Sequence, residues 1–68
     1  MHVTINGIPR ELAGGGSVAA ALGELGIRPD ERGVAVAVDG EVVPRATWVE
    51  ARLPEGARIE VVRATAGG

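Results

Sequence analysis

Two short pairs, Asn6-Gly7 and Asp39-Gly40, each stand between apolar runs, and they constrain the fold of this chain more than any other feature. A two-residue type I′ turn needs positive φ at both central positions, which Asn or Asp followed by Gly accepts with least strain. Ahead of the first pair, Val3 and Ile5 alternate with His2, Thr4 and Asn6, the period-two pattern of a half-buried strand. "IPREL" then returns as the second arm of a hairpin, and Pro9, which cannot donate to a ladder, places that arm at a sheet edge. The second pair joins "VAVAV", a short run of high β-propensity, to "EVVP", where Pro44 ends the pairing.

Between the two hairpins the period changes. "AGGGS" breaks the alternation, after which Val18, Ala21, Leu22 and Leu25 fall at i, i+3, i+4 and i+7, one stripe of an amphipathic helix. Ser17 is placed to cap its start. Gly26 is placed to take the left-handed position after its end, with Ile27 packing back on Leu22. "RPDERG" reads as an exposed loop. Downstream, Trp48 and Leu53 anchor an irregular segment, and Pro54-Glu55-Gly56 turns the chain into a last strand, "ARIEVVRA". There Ile59 and Val61 share one face while Glu60 and Val62 share the other.

The order is strand, strand, helix, strand, short strand, long loop, strand. In 68 residues this predicts an α+β domain, a mixed sheet of four to five strands with one amphipathic helix packed across it. The last strand is apolar enough to be held in the sheet. Residues 1–63 are therefore expected to form the domain, and residues 64–68 a thin, flexible tail leaving it from a fixed point.

Composition narrows the function. A chain this short buries a modest core and has little room for a deep catalytic pocket, which favours a binding or carrier role over an independent enzyme. Nine acids against seven bases give a formal charge of -2, with no gathered basic patch, so nucleic acid is not an expected partner. No cysteine is present, which excludes disulfides, thiolate metal sites and thiol nucleophiles; any sulfur chemistry needs sulfur from elsewhere. All seven bases are Arg, so there is no Lys side-chain amine through which copies could be joined. The opening "MHVTINGI" alternates at once instead of presenting a basic stretch and an apolar run, and nothing approaches a membrane-spanning length. A cytoplasmic location, monomeric when free, is expected.

The chain finishes on "RATAGG". Two glycines by themselves read as an ordinary frayed end. Taken with "INGIPREL", "SVAAALGELGI", "GVAVAVDGEVVPRATW" and "RIEVVRATAGG", however, the tail completes a pattern that resembles the β-grasp, or ubiquitin-like, sulfur carriers, and among them the ThiS family of thiamine biosynthesis. The resemblance covers nearly the whole chain. Asp39 stands where relatives usually show Asn, and Ala57 where an Asp commonly follows the glycine. Both are turn positions, and Asp-Gly serves a type I′ turn nearly as well as Asn-Gly.

The resemblance implies a chemistry for the tail. A ubiquitin-activating-like enzyme would use ATP to adenylate the carboxylate of Gly68, a sulfur donor protein would convert it to a thiocarboxylate, and thiazole synthase would take the sulfur. Thr65, Ala66 and Gly67 would enter the partners' active sites with it. The protein would then be a co-substrate and not a catalyst, with no bound cofactor and no metal of its own. The small subunit of molybdopterin synthase shares such a tail, and remains an alternative. So do a plain β-grasp interaction module with an inert tail and a conjugated ubiquitin-like modifier.

Other residues carry weaker expectations. Val62, Arg63 and Arg45 are candidates for partner contact, the two arginines being equally compatible with solvated surface charge. Trp48, the one large aromatic side chain, is expected to fill the core beneath the long loop. His2 has no second ligand near it in sequence and reads as an exposed polar residue. "AGGGS" lacks the Gly-Lys-Ser/Thr ending of a nucleotide-binding loop and reads as a connector.

Overall fold

The structure, a computed structural model, describes residues 1–13 and 16–64. Its elements are β1 (His2–Ile5), β2 (Ile8–Glu11), α1 (Val18–Glu24), β3 (Val34–Val38), β4 (Glu41–Val42), a single 3-10 turn (Arg45–Thr47) and β5 (Arg58–Arg63). The five strands form one mixed sheet in the order β2-β1-β5-β3-β4. β5 is parallel to β1 and antiparallel to β3; the two outer pairs are antiparallel hairpins.

Both hairpin pairs adopt the expected geometry. Asn6 and Gly7 have φ of 52° and 82°, Asp39 and Gly40 of 50° and 86°, positive at every central position. Pro9 lies on β2, an edge strand, where its missing N–H costs no central rung. The 4-residue β1 alternates as the sequence predicts, with Val3 and Ile5 buried and His2 exposed, whereas the edge strand β2 is exposed at Ile8, Pro9 and Glu11.

The 7-residue helix has all its early donors satisfied. The Ser17 hydroxyl accepts from the Ala20 N–H at 3.1 Å, and the Val18 and Ala19 N–H groups donate to the carbonyls of Ala51 and Trp48, both at 3.0 Å. Such pairing is what a short helix needs, because four N-terminal donors have no partner within it. At the other end the N–H groups of Gly26 and Ile27 donate to the carbonyls of Gly23 and Leu22, both at 3.0 Å, with Gly26 at φ 73°. That is the two-bond Schellman ending, and it needs the glycine.

The buried face of the helix, Val18, Ala21 and Leu22, packs on Val3 and Ile5 of β1, Val34 and Val36 of β3 and Ile59 of β5, with Leu12, Ile27, Leu53 and Ala57 closing the margins. Trp48 is 1% exposed and the largest fully buried side chain. Its indole Nε1–H donates to the Val43 carbonyl at 2.9 Å, which meets the one polar demand a buried Trp makes. The segment that reads as irregular in sequence is more ordered than expected: the 3-10 turn after Pro44 is held by the Thr47 hydroxyl donating to the Pro44 carbonyl at 2.9 Å. Pairing also runs one rung past β4, through the Val43 N–H to the Val36 carbonyl.

Candidate functional site

β5 lies in the middle of the sheet, and its backbone is fastened along its length. At its start the Asp39 carboxylate accepts the Arg58 N–H at 2.9 Å while the Asp39 N–H donates to the Arg58 carbonyl at 2.8 Å. Further on, the side-chain amide of Asn6 donates to the Val61 carbonyl at 3.1 Å and accepts the Val61 N–H at 2.8 Å, prolonging the β1–β5 ladder by a rung that the backbone of β1 does not itself supply. The first residue of each I′ turn thus serves twice, by conformation in its own hairpin and by side chain on β5.

The end of β5 is held by the loop before β3. The Ala64 N–H donates to the Gly33 carbonyl at 2.7 Å, continuing the β3–β5 ladder past its Val34↔Arg63 pair. One residue earlier, the Arg63 guanidinium meets one carboxylate oxygen of Glu31 at 2.8 Å (Nε) and 2.7 Å (Nη2). From another side Arg45 reaches the same loop: its Nη1 donates to the Pro29 carbonyl at 3.2 Å, and its guanidinium carbon lies 4.7 Å above the Trp48 ring centroid. Both arginines expected to meet a partner are therefore engaged within the chain, although both stay exposed. Thr65, Ala66, Gly67 and Gly68 lie outside the described residues, as do Gly14 and Gly15 of "AGGGS".

Beside this strand end, the sheet face turned away from α1 is apolar. Val62 is 67% and Val42 75% exposed, and with Ala35, Ala37 and Glu60 they line a shallow depression on β3, β4 and β5. Among the described residues no loop covers Val62.

His2 is exposed, as expected, yet it has neighbours that sequence distance hides. Its Nε2 lies 2.9 Å from Glu11 and its Nδ1 3.3 Å from Glu55, two carboxylates brought together by β2 and by the turn before β5. The Met1 amino group stands 3.7 Å from Glu11. The His2 backbone N–H donates to Glu55 at 2.8 Å, and this bond is the main reason the Glu55 carboxyl titrates below its ordinary value. Among the described residues no group of His, Asp and Glu is arranged to hold a metal ion, no polar or charged residue is buried, and no helix is long and apolar enough to cross a membrane. What the described residues offer a partner is a firmly held strand end next to an exposed apolar face.

Comparison with known proteins gives one answer by three routes. The family model of the ThiS family matches residues 3–68. A protein of Paramagnetospirillum magneticum described as thiazole synthase is 37% identical over 68 residues, covering 100% of this chain and 20% of that protein, so the chain spans about a fifth of the length of this curated relative. The crystal structure of the thiamine biosynthesis protein ThiS from Geobacter metallireducens is similar at a TM-score of 0.77 and 27% identity, covering 100% of both chains. A solution structure of a thiamine biosynthesis protein from the same organism is similar at 0.75 and 28%, covering 100% of this chain and 88% of that one. With the mixed five-stranded sheet, the single helix and a family match over nearly the whole sequence in place, the chain belongs to the ThiS family, ubiquitin-like β-grasp proteins of thiamine biosynthesis.

Proposed function

We propose that this chain is the sulfur carrier for the thiazole moiety of thiamine, a cytoplasmic co-substrate that partner enzymes load and unload at Gly68. The observation that carries the reading is the fastening of β5: its backbone is held at Arg58, Val61 and Ala64, so a segment ending in Gly67-Gly68 leaves from a fixed point beside an exposed apolar face. Family membership and the similarity to a thiazole synthase support the thiamine branch over the molybdopterin one.

The chemistry follows from what a carboxylate lacks. Its negative charge repels nucleophiles and oxide is not a viable leaving group, so it must first be activated. A ubiquitin-activating-like enzyme supplies that step: a Gly68 carboxylate oxygen attacks the α-phosphorus of ATP, pyrophosphate leaves, and an acyl adenylate results. Sulfur carried by a donor protein as a persulfide then attacks the acyl carbon, AMP departs, and a thiol reduces the acyl disulfide so formed, leaving the thiocarboxylate and a new disulfide; free sulfide gives the thiocarboxylate directly with loss of AMP. This soft nucleophile delivers sulfur to the substrate of thiazole synthase. Glycine at 67 and 68 suits each step, since without Cβ the backbone threads a narrow channel and the acyl carbon is open to attack.

Removal of Gly68 tests the assignment. The truncated chain is expected to melt as the full-length protein does and to acquire no sulfur from ATP, activating enzyme and sulfide; sulfur acquisition by the truncated chain contradicts it.

A further inference from the structure

The loop between α1 and β3 has no evident task in the fold beyond connection, yet two of its contacts converge on the last residues of β5 and a third ties it to the 3-10 turn. Glu31, at 28% side-chain exposure, grips Arg63. The Gly33 carbonyl takes the Ala64 N–H at 2.7 Å. Arg45 holds the loop from the far side through Pro29. Gly33 itself has φ 76°, a left-handed conformation at the point where the loop enters β3, whose first residue, Val34, pairs with Arg63. A Cβ at Gly33 would lie 3.3 Å from the Cβ of Ala64, tighter than ordinary van der Waals contact. On the other side of β5, contacts from β1 and its turn reach Val61. Arg63 and Ala64 are therefore held from the β3 side.

We infer that the 28–33 loop is a positioning clamp for the end of β5, in which Gly33 holds Ala64 and the Glu31–Arg63 pair holds the last strand residue beside it. This rests on the carrier reading above. The geometry explains why the release point matters. Gly68 is four residues beyond Ala64, a span of at most about 14 Å when fully extended. Loss of the Gly33 rung frees one further residue, about 3.4 Å of strand, which is a quarter of that reach. A docked carrier would then present its acyl carbon off register while the apolar face of Val42 and Val62 still engaged. Gly33 and Glu31 act through the tail and touch no reacting atom; they are positioning residues.

The test is steady-state sulfur loading of the full chain by the activating enzyme, ATP and sulfide, with Ala64 amide exchange followed by NMR on the same samples. Gly33→Ala is expected to speed exchange at Ala64 and to lower kcat about tenfold with KM unchanged, a smaller loss than the hundredfold that displacement of a rigid reactant brings. Glu31→Gln, which leaves the backbone alone, is expected to lower kcat about threefold, in keeping with an exposed ion pair. The charge-exchanged double variant, Glu31→Arg with Arg63→Glu, is expected to recover that loss. If Gly33→Ala does not fold, the Glu31→Gln variant and its double decide. Unchanged kcat in a variant whose Ala64 exchange has accelerated overturns the clamp, and so does a change confined to KM. Absence of loading in the wild-type chain instead overturns the carrier reading on which the clamp depends.

Discussion

Asn6 and Val61, 55 positions apart, exchange two hydrogen bonds through the Asn6 side-chain amide, which stands in for a peptide unit in the β1–β5 ladder. The same Asn6 has φ 52°, so one residue must tolerate a left-handed backbone and offer a donor and an acceptor on the correct edge. Asn does both. Gly satisfies only the first requirement, and Asp supplies only the acceptor.

Substitutions at Asn6 separate these roles. Asn6→Gly keeps the turn and removes two partly exposed hydrogen bonds, an expected loss of about 1–2 kcal/mol. Asn6→Ala adds the strain of a positive φ, about 1 kcal/mol more. Asn6→Asp is expected to fall with Asn6→Gly or below, since a carboxylate then faces the Val61 carbonyl. Urea unfolding of the three variants measures the order.

Trp48 carries a large share of the core. Trp48→Phe leaves the Val43 carbonyl without its indole donor and a gap beneath the 3-10 turn, at an expected cost of about 2 kcal/mol. Trp48→Ala is expected to cost about 3–5 kcal/mol. A domain of 68 residues has a total stability of about 3–10 kcal/mol at the usual density per residue, so the alanine variant is expected to lose a large share of it, read as a strongly lowered melting midpoint by circular dichroism.

The N-terminal corner gives a pH dependence. The Glu55 carboxyl is held below its ordinary value, first by the His2 backbone N–H and with help from the nearby amino terminus; Glu11 and the imidazole of His2 complete the cluster. A group whose folded-state pKa is depressed stabilises the fold above its unfolded value, and that contribution is lost as pH falls through the folded value. The contribution of Glu55 is therefore full above about pH 4.3, the ordinary glutamate value, and fades below it. Carboxyl chemical-shift titration is expected to give Glu55 a midpoint below the ordinary glutamate value, and Glu55→Gln is expected to flatten the acid limb of the stability profile.

The exposed face predicts a different signature from the clamp. Val62→Asp changes a residue that is 67% exposed, so stability is expected to stay within about 0.5 kcal/mol of the parent. Loading kinetics are expected to show KM raised about tenfold with kcat preserved, because an apolar contact worth about 1.4 kcal/mol is lost on docking. Equal KM for the variant and the parent would mean that partners do not use this face.

The hairpins, the helix with both its caps, the edge position of Pro9 and the buried Trp48 all follow from local rules: turn chemistry at Asn6-Gly7 and Asp39-Gly40, a 3.6-residue stripe from Val18 to Leu25, and a glycine where φ must be 73°. What escaped was long range. Nothing in "TINGI" tells that the Asn6 amide will find Val61, because that contact depends on β5 entering between the two hairpins. Glu31 and Arg63 meet across 32 positions and His2 and Glu55 across 53, and in each case the sequence shows ordinary surface charge. Arg45 and Arg63, equally compatible in sequence with partner contact and with solvated charge, gave no sign of Pro29 and Glu31 for the same reason. The proposed tail chemistry rests on resemblance, since Gly67-Gly68 has no local signature that separates a substrate from a frayed end.

The most direct measurement is the intact mass of the protein after incubation with ATP, the activating enzyme of the thiamine pathway and a sulfide source, followed by fragmentation. The account predicts a shift equal to one oxygen replaced by sulfur, confined to Gly68. An unchanged mass with an enzyme shown to be active, or a shift mapping to any other residue, would contradict it.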